Sequence, residues 1–141
     1  MNSMSDGQST ILVLEDEELL LTAVTRKLEL AGKRVIACAS GKQALDTLTE
    51  SETVPDLIWL DYYLKDMNGL EFMQKMKENP KWENIPVLVV SNSASPDKVT
   101  KMMGMGVKKY VLKAAHRLDE LVEMTNEISA GKEVHEKNSD N

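Results

Sequence analysis

Four apolar runs in this chain end on residues that can do chemistry. "ILVLED" closes on Glu15 and Asp16, "DLIWLD" on Asp61, "VLVVS" on Ser91 and "KYVLK" on Lys113. A carboxylate at the tip of a buried strand costs free energy unless something binds it. Carboxylates gathered at one place repel, by roughly 4 kcal/mol for two unit charges about 4 Å apart at an effective dielectric near 20. Such a cluster calls for protonation or a cation. A hard divalent ion suits these oxygens, and magnesium takes one or two carboxylates while keeping several waters. Lys113 offers a second cation, able to sit against Asp61 at rest, and Ser91 offers a hydroxyl donor. A carboxylate nucleophile, a metal, a lysine and a hydroxyl are the parts of a phosphoryl-transfer site. The carboxylate would become an acyl phosphate, and the cations would neutralise the equatorial oxygens.

Whether these residues meet depends on the elements that carry them. The strand candidates are "TILVLED", "RVIACA", "DLIWLD", "IPVLVVS" and "KYVLK". Between them run helical patterns. "EELLLTAVTRKLELAG" closes on Gly32, and "SGKQALDTLTES" opens on Ser40 as N-cap with Ala44, Leu45 and Leu48 on one face. "NGLEFMQKMKEN" halts before Pro80, and "SPDKVTKMMGMG" has Ser95 as N-cap and Pro96 at the first helical position. "LDELVEMTNEISAG" stops near Gly131. Five near-continuous apolar strands alternating with five amphipathic helices predict an α/β fold, a doubly wound parallel sheet covered on both faces. In such a sheet ligands bind beyond the carboxyl ends of the strands, near the point where strand order reverses. All four chemical strand ends then share one rim.

Composition bounds the rest. The 141 residues fit one domain, with 42% hydrophobic and 28% charged residues. A net charge of −6 argues against direct DNA binding, which needs a basic face. Cys38 is the only cysteine, so the chain forms no disulfide within itself and no cysteine metal site. No run approaches the about 18 apolar residues of a membrane span. The start, Met1 to Ser9, lacks the apolar stretch of a signal peptide, so the cytoplasm is the default. Residues 1–9 and 132–141 read as disordered tails around a domain over 10–131.

With these residues in place the chain resembles the receiver domain of bacterial two-component response regulators, from about Thr10 to Ala130. Glu15-Asp16 match the family's acidic pair, Asp61 its phosphoacceptor, Ser91 its switch hydroxyl and Lys113 its lysine. Tyr110 matches the aromatic switch position three residues before that lysine, and "MNGLEF" the helix start. The resemblance implies a flavodoxin-like sheet of order 2-1-3-4-5 and a magnesium or manganese ion. Asp16, Asp61 and the backbone carbonyl of Tyr63 would bind that ion, with Glu15 acting through a water. Ser91, Asn92, Lys113 and Tyr110 form the phosphate-binding and switch set. His116 and His135 lack a second ligand nearby and read as surface residues; the phosphodonor would be a histidine kinase or a phosphotransfer protein, so neither is the donor.

The pattern departs from the family at several points. Ala114 stands where proline usually follows the lysine with a cis bond; cis before a non-proline residue costs about 2.5–4 kcal/mol, so trans and an altered loop are expected. Lys65 replaces a common proline, and Asn92 replaces a small residue. Tyr63 is bulky beside the acceptor, and Lys108-Lys109 replace an often acidic pair. Lys101, Lys108, Lys109 and Tyr110 predict a basic partner face for an acidic protein surface.

Blander readings compete. Asp61 alone reads as a solvated strand end; in register with Asp16, Ser91 and Lys113 it reads as functional. Glu17 and Glu18 favour the dipole of a helix start. Met102, Met103 and Met105 read as packing, and Cys38 as a small core residue. The expected function is a phosphorylatable single-domain response regulator, cytoplasmic and not a turnover enzyme, signalling through protein contacts. One alternative is a degenerate receiver that binds partners without phosphorylation. Another is an aspartate-dependent phosphatase, which needs a second acid two residues past the nucleophile, where Tyr63 stands.

Overall fold

The run Leu57–Asp61 (β3) is buried at every position, and so is Val87–Ser91 (β4). Such strands occupy the middle of a sheet covered on both faces. The computed structural model, which describes residues 8–129, places them there. Thr10–Leu14 (β1), Arg34–Cys38 (β2) and Lys109–Leu112 (β5) complete a five-stranded parallel sheet in the order β2-β1-β3-β4-β5. The expected order is therefore the observed one.

Five helices cover the sheet: Glu18–Leu30 (α1), Gly41–Glu50 (α2), Gly69–Lys77 (α3), Pro96–Gly104 (α4) and Leu118–Ser129 (α5). Because side chains alternate along a strand, the core divides in two. Leu12, Ile58, Leu60 and Val89 pack with Ala44, Leu48, Phe72, Met76 and Met102 of α2, α3 and α4. Ile11, Val13, Trp59 and Val90 pack on the other face with Val24, Leu28, Leu121 and Ile128 of α1 and α5.

The punctuation acts as expected. Ser40 caps α2 by accepting from the Gln43 amide at 3.1 Å. Asn68 and Glu71 form a capping box at α3, and Ser95 caps α4 with Pro96 inside it. Gly32 follows α1 at φ +89°, a left-handed conformation that suits glycine. Met102 is fully buried and Met105 packs against the core, whereas Met103 stays exposed. Cys38 is a buried free thiol.

Strand ends shift slightly. β1 stops at Leu14, and β5 stops at Leu112, so Lys113 opens a 3-10 turn over Lys113–Ala115 instead of ending the strand. No cis peptide occurs among the described residues, so the Lys113–Ala114 bond is trans. Ser9 and Gln8, inside the expected N-terminal tail, contact Arg34: the Ser9 carbonyl accepts from its amide at 2.8 Å and Gln8 Oε1 from its guanidinium at 3.2 Å. The rest of that tail, the C-terminal tail, the helix stop near Gly131 and His135 lie outside the described residues.

Candidate functional site

Strand order reverses around β1, which pairs with β2 on one side and β3 on the other. The crevice beyond this point holds the acidic residues. Carboxylate oxygens of Glu15, Asp16 and Asp61 all lie within 4.8 Å of one another. Glu15 is 1% exposed and Asp61 5% exposed, so two of the three have little water to solvate a charge.

The compensation comes from Lys113. Its Nζ lies 2.9 Å from Glu15 Oε1 and 3.5 Å from Asp61 Oδ2. The sequence places this lysine against Asp61; the structure gives the shorter contact to Glu15. The physical reason is burial: Glu15 is the most enclosed charge in the cluster and gains most from a partner. Glu15 Oε2 also accepts from the Glu17 amide at 3.0 Å. Asp61 keeps a single backbone donor, the Tyr63 amide at 3.2 Å from Oδ1.

These surroundings set the proton affinity of Asp61. Loss of solvent, and next the neighbouring Glu15 charge, push its pKa from 3.8 to about 7; Lys113 and the Tyr63 amide oppose them. For Lys113, burial lowers the pKa, but Glu15 and Asp61 outweigh it and the net shift is upward. Lys113 alone thus faces two buried carboxylates, and the cluster is short of positive charge.

Ser91 is fully buried, and its Oγ accepts from the Ser93 amide at 3.2 Å. Asn92 is exposed. Tyr110 is half-buried and donates its hydroxyl to the Ser93 carbonyl at 2.7 Å. Tyr63 turns outward, 46% exposed, with its ring 4.9 Å from that of Tyr62 and beneath Lys98 Nζ at 5.1 Å. Lys98 holds the Tyr63 phenol below its ordinary pKa. Ser93 and Lys98 were not singled out in the sequence, where neither carries a motif signal.

The donor set suits a hard cation. Three carboxylates and one backbone carbonyl are all oxygen, as magnesium and manganese prefer. Tyr63 and Asn68 form an isolated antiparallel bridge, in which Gly69 donates to Tyr62 and Leu64 to Met67. Tyr63 itself is left out of these bonds, and its carbonyl accepts none among the described residues.

The match to known proteins covers this whole arrangement. Residues 11–126 match the family model described as the response regulator receiver domain. The chain belongs to the response regulator receiver family. It is 33% identical to the two-component response regulator ORR8 of Oryza sativa over 77% of the chain and 89% of that protein. The putative two-component response regulator ARR21 of Arabidopsis thaliana is 30% identical over 84% of the chain and 19% of its own length. Among solved structures, a CheY-like receiver domain protein from Methanospirillum hungatei JF-1 superposes with a TM-score of 0.80 at 22% identity, over 89% of this chain and 96% of that one. The phosphorylated cyanobacterial phytochrome response regulator RcpA gives 0.74 at 26% identity, over 86% and 91%. The named sequence relatives are plant two-component response regulators, which weakens the bacterial side of the resemblance.

Within this receiver the expected partner face adjoins charge of the opposite sign. Lys101 and Lys108 are exposed, and Lys101 pairs with Asp97 at 3.5 Å. Lys109 and Tyr110 line a groove of about 590 Å³ whose α5 wall carries Glu120, Glu123 and Glu127. His116, half-buried in the same groove, faces Glu120 at 3.6 Å. No described helix is long and apolar enough to cross a membrane.

Proposed function

We propose that this receiver accepts a phosphoryl group on Asp61 from a histidine kinase or phosphotransfer protein and signals through contacts with a further protein. One observation carries the reading: Glu15, Asp16 and Asp61 meet within 4.8 Å while Lys113 lies within 3.5 Å of Asp61. An Asp61 oxygen attacks the phosphorus of a phosphohistidine, the P–N bond breaks, and the imidazole leaves. Lys113 and the Ser91 hydroxyl would take up charge on the transferred oxygens, as charge-assisted hydrogen bonds do most strongly. Asp16, Asp61, the Tyr63 carbonyl and, through a water, Glu15 would hold a magnesium or manganese ion. The ion supplies positive charge that favours ionised Asp61 and stabilises the equatorial oxygens. The chain is a stoichiometric acceptor in the cytoplasm and not a turnover enzyme.

Output runs through Lys101, Lys108, Lys109 and Tyr110. Phosphate adds about −1.5 to −2 charges at the rim, which draws Ser91 and Lys113 inward and shifts the Ser93 carbonyl that holds Tyr110. An acidic partner surface suits the lysines.

The decisive experiment is mass spectrometry of the intact chain after incubation with acetyl phosphate and magnesium. One phosphoryl mass should be gained, be lost when magnesium is chelated before the phosphodonor is added, and be absent in Asp61→Asn. Uptake unchanged in Asp61→Asn would remove the assignment.

A further inference from the structure

The loop between β3 and α3 carries Tyr63, and its outer edge is tied to another element. The Asp66 carboxylate accepts from the Gly41 amide at 3.0 Å through Oδ1 and from the Lys42 amide at 2.9 Å through Oδ2. Ser40 takes the Gln43 amide. Together the two residues satisfy the first three amides of α2, donors that a helix leaves unpaired. The packing agrees. A Cβ built on buried Gly41 would stand 2.5–2.7 Å from the side chain of Met67, so Met67 sits where any other residue would need room. Asp66 is itself exposed, so its hold comes from two aligned charge-assisted bonds at a helix N-terminus and not from burial. Burial raises its pKa, but the Lys42 and Gly41 amides outweigh this and hold the carboxyl below the usual range.

The inner edge of the same loop faces the acidic cluster. Tyr63 donates its amide to Asp61, and its carbonyl stays outside the Tyr63–Asn68 bridge. In extended chain a residue's N–H and C=O leave the same edge, so this carbonyl is directed to the side of Asp61. The bridge holds the base of the loop, and Asp66 and Met67 tie its tip to the start of α2.

We infer that Asp66, clamped to the amides of Gly41 and Lys42 with Met67 packed on Gly41, is a positioning residue that presets the Tyr63 carbonyl for the divalent ion. The inference rests on the reading of Asp16, Asp61 and Tyr63 as the metal ligands. It makes α2 part of the metal site without contributing a ligand: displacement of the Gly41 end of α2 releases the loop and weakens the ion's hold.

The test is magnesium binding to the full chain by calorimetry, for Asp66→Ala and Asp66→Asn, with Asp16→Ala as the control for the ligand reading. Asp66→Ala should weaken magnesium by about tenfold, the low end of what outer partners of metal ligands cost. Asp66→Asn keeps one acceptor oxygen and should fall between it and the unaltered chain. A role in stability alone would leave magnesium affinity unchanged in folded protein. Phosphorylation by acetyl phosphate gives the second readout: Asp66→Ala should need more magnesium for half-maximal rate, and saturating magnesium should restore the maximum. If Asp16→Ala loses magnesium but both Asp66 variants bind it within twofold of the unaltered chain, the positioning role is wrong. If Asp16→Ala also binds normally, the ligand reading itself fails. Should Asp66→Ala not fold, Asp66→Asn decides alone, with unaltered affinity counting against the role.

Discussion

The Tyr110 hydroxyl reaches the Ser93 carbonyl at 2.7 Å, and the Ser93 amide in turn donates to Ser91 Oγ at 3.2 Å. Two hydrogen bonds thus link the buried hydroxyl at the end of β4 to a half-buried phenol on the edge strand. A displacement of Ser91 would therefore be expected to reach Tyr110 through the Ser93 backbone.

Tyr110→Phe keeps the ring and removes the bond. It should cost about 1 kcal/mol of stability, the net worth of one hydrogen bond, read as a lowered urea midpoint. Hydrogen-exchange mass spectrometry should show phosphorylation altering residues 95–113 in the unaltered chain and less so in Tyr110→Phe. Changes confined to Asp61, Ser91 and Lys113 would place the output surface elsewhere.

Asp61 gives a pH dependence of known sign. Its pKa in the fold is about 7 against an ordinary 3.8, so between these values the folded chain keeps a proton the unfolded chain has lost. The stability this contributes is complete below the ordinary pKa and disappears as pH rises through about 7. In chelator, the melting temperature of the unaltered chain should therefore fall relative to Asp61→Asn across that window, and Asp61→Asn should be the more stable above it. A difference between the two that does not vary with pH would contradict the shift.

Lys113→Met should destabilise the metal-free protein by about 3 kcal/mol, the low end for breaking a buried pair. The low end applies because the lysine side chain is still 14% exposed, while Glu15's is 1% exposed. The methionine keeps the stem, so the loss measures charge. Magnesium should return part of it in a urea titration; an equal loss with and without magnesium would assign it to packing.

Magnesium affinity should depend on Asp16, whose carboxylate is the least buried of the three. Asp16→Ala should weaken binding by more than about tenfold, since few protein oxygens serve this ion. Trp59, two residues before Asp61 on the same face of β3 and 1% exposed, is the intrinsic fluorophore to follow. Equal titration curves for the two proteins would remove Asp16 from the site.

The elements and their order of use were written in the chain. Apolar runs such as Leu57–Leu60, and caps such as Ser40, Asn68 and Ser95, act over a few residues, so local sequence specifies them. The residues at the site were also readable, because a charge at the end of a buried strand is conspicuous wherever the strand lies. What the sequence left open were distances and partners between elements. That Lys113 sits nearer Glu15 than Asp61, that Asp61 titrates near 7, and that Tyr110 reaches Ser93 all depend on packing of strands far apart in sequence. Burial decided the first two: it makes Glu15 the carboxylate most in need of a compensating cation, and together with the Glu15 charge it raises the pKa of Asp61. The bonds from the Gly41 and Lys42 amides to Asp66 span 25 and 24 positions and join the start of α2 to the β3–α3 loop, with no shared sequence pattern. Only the crossovers that bring the ends of β2 and β3 to one rim bring those groups within a hydrogen bond's reach.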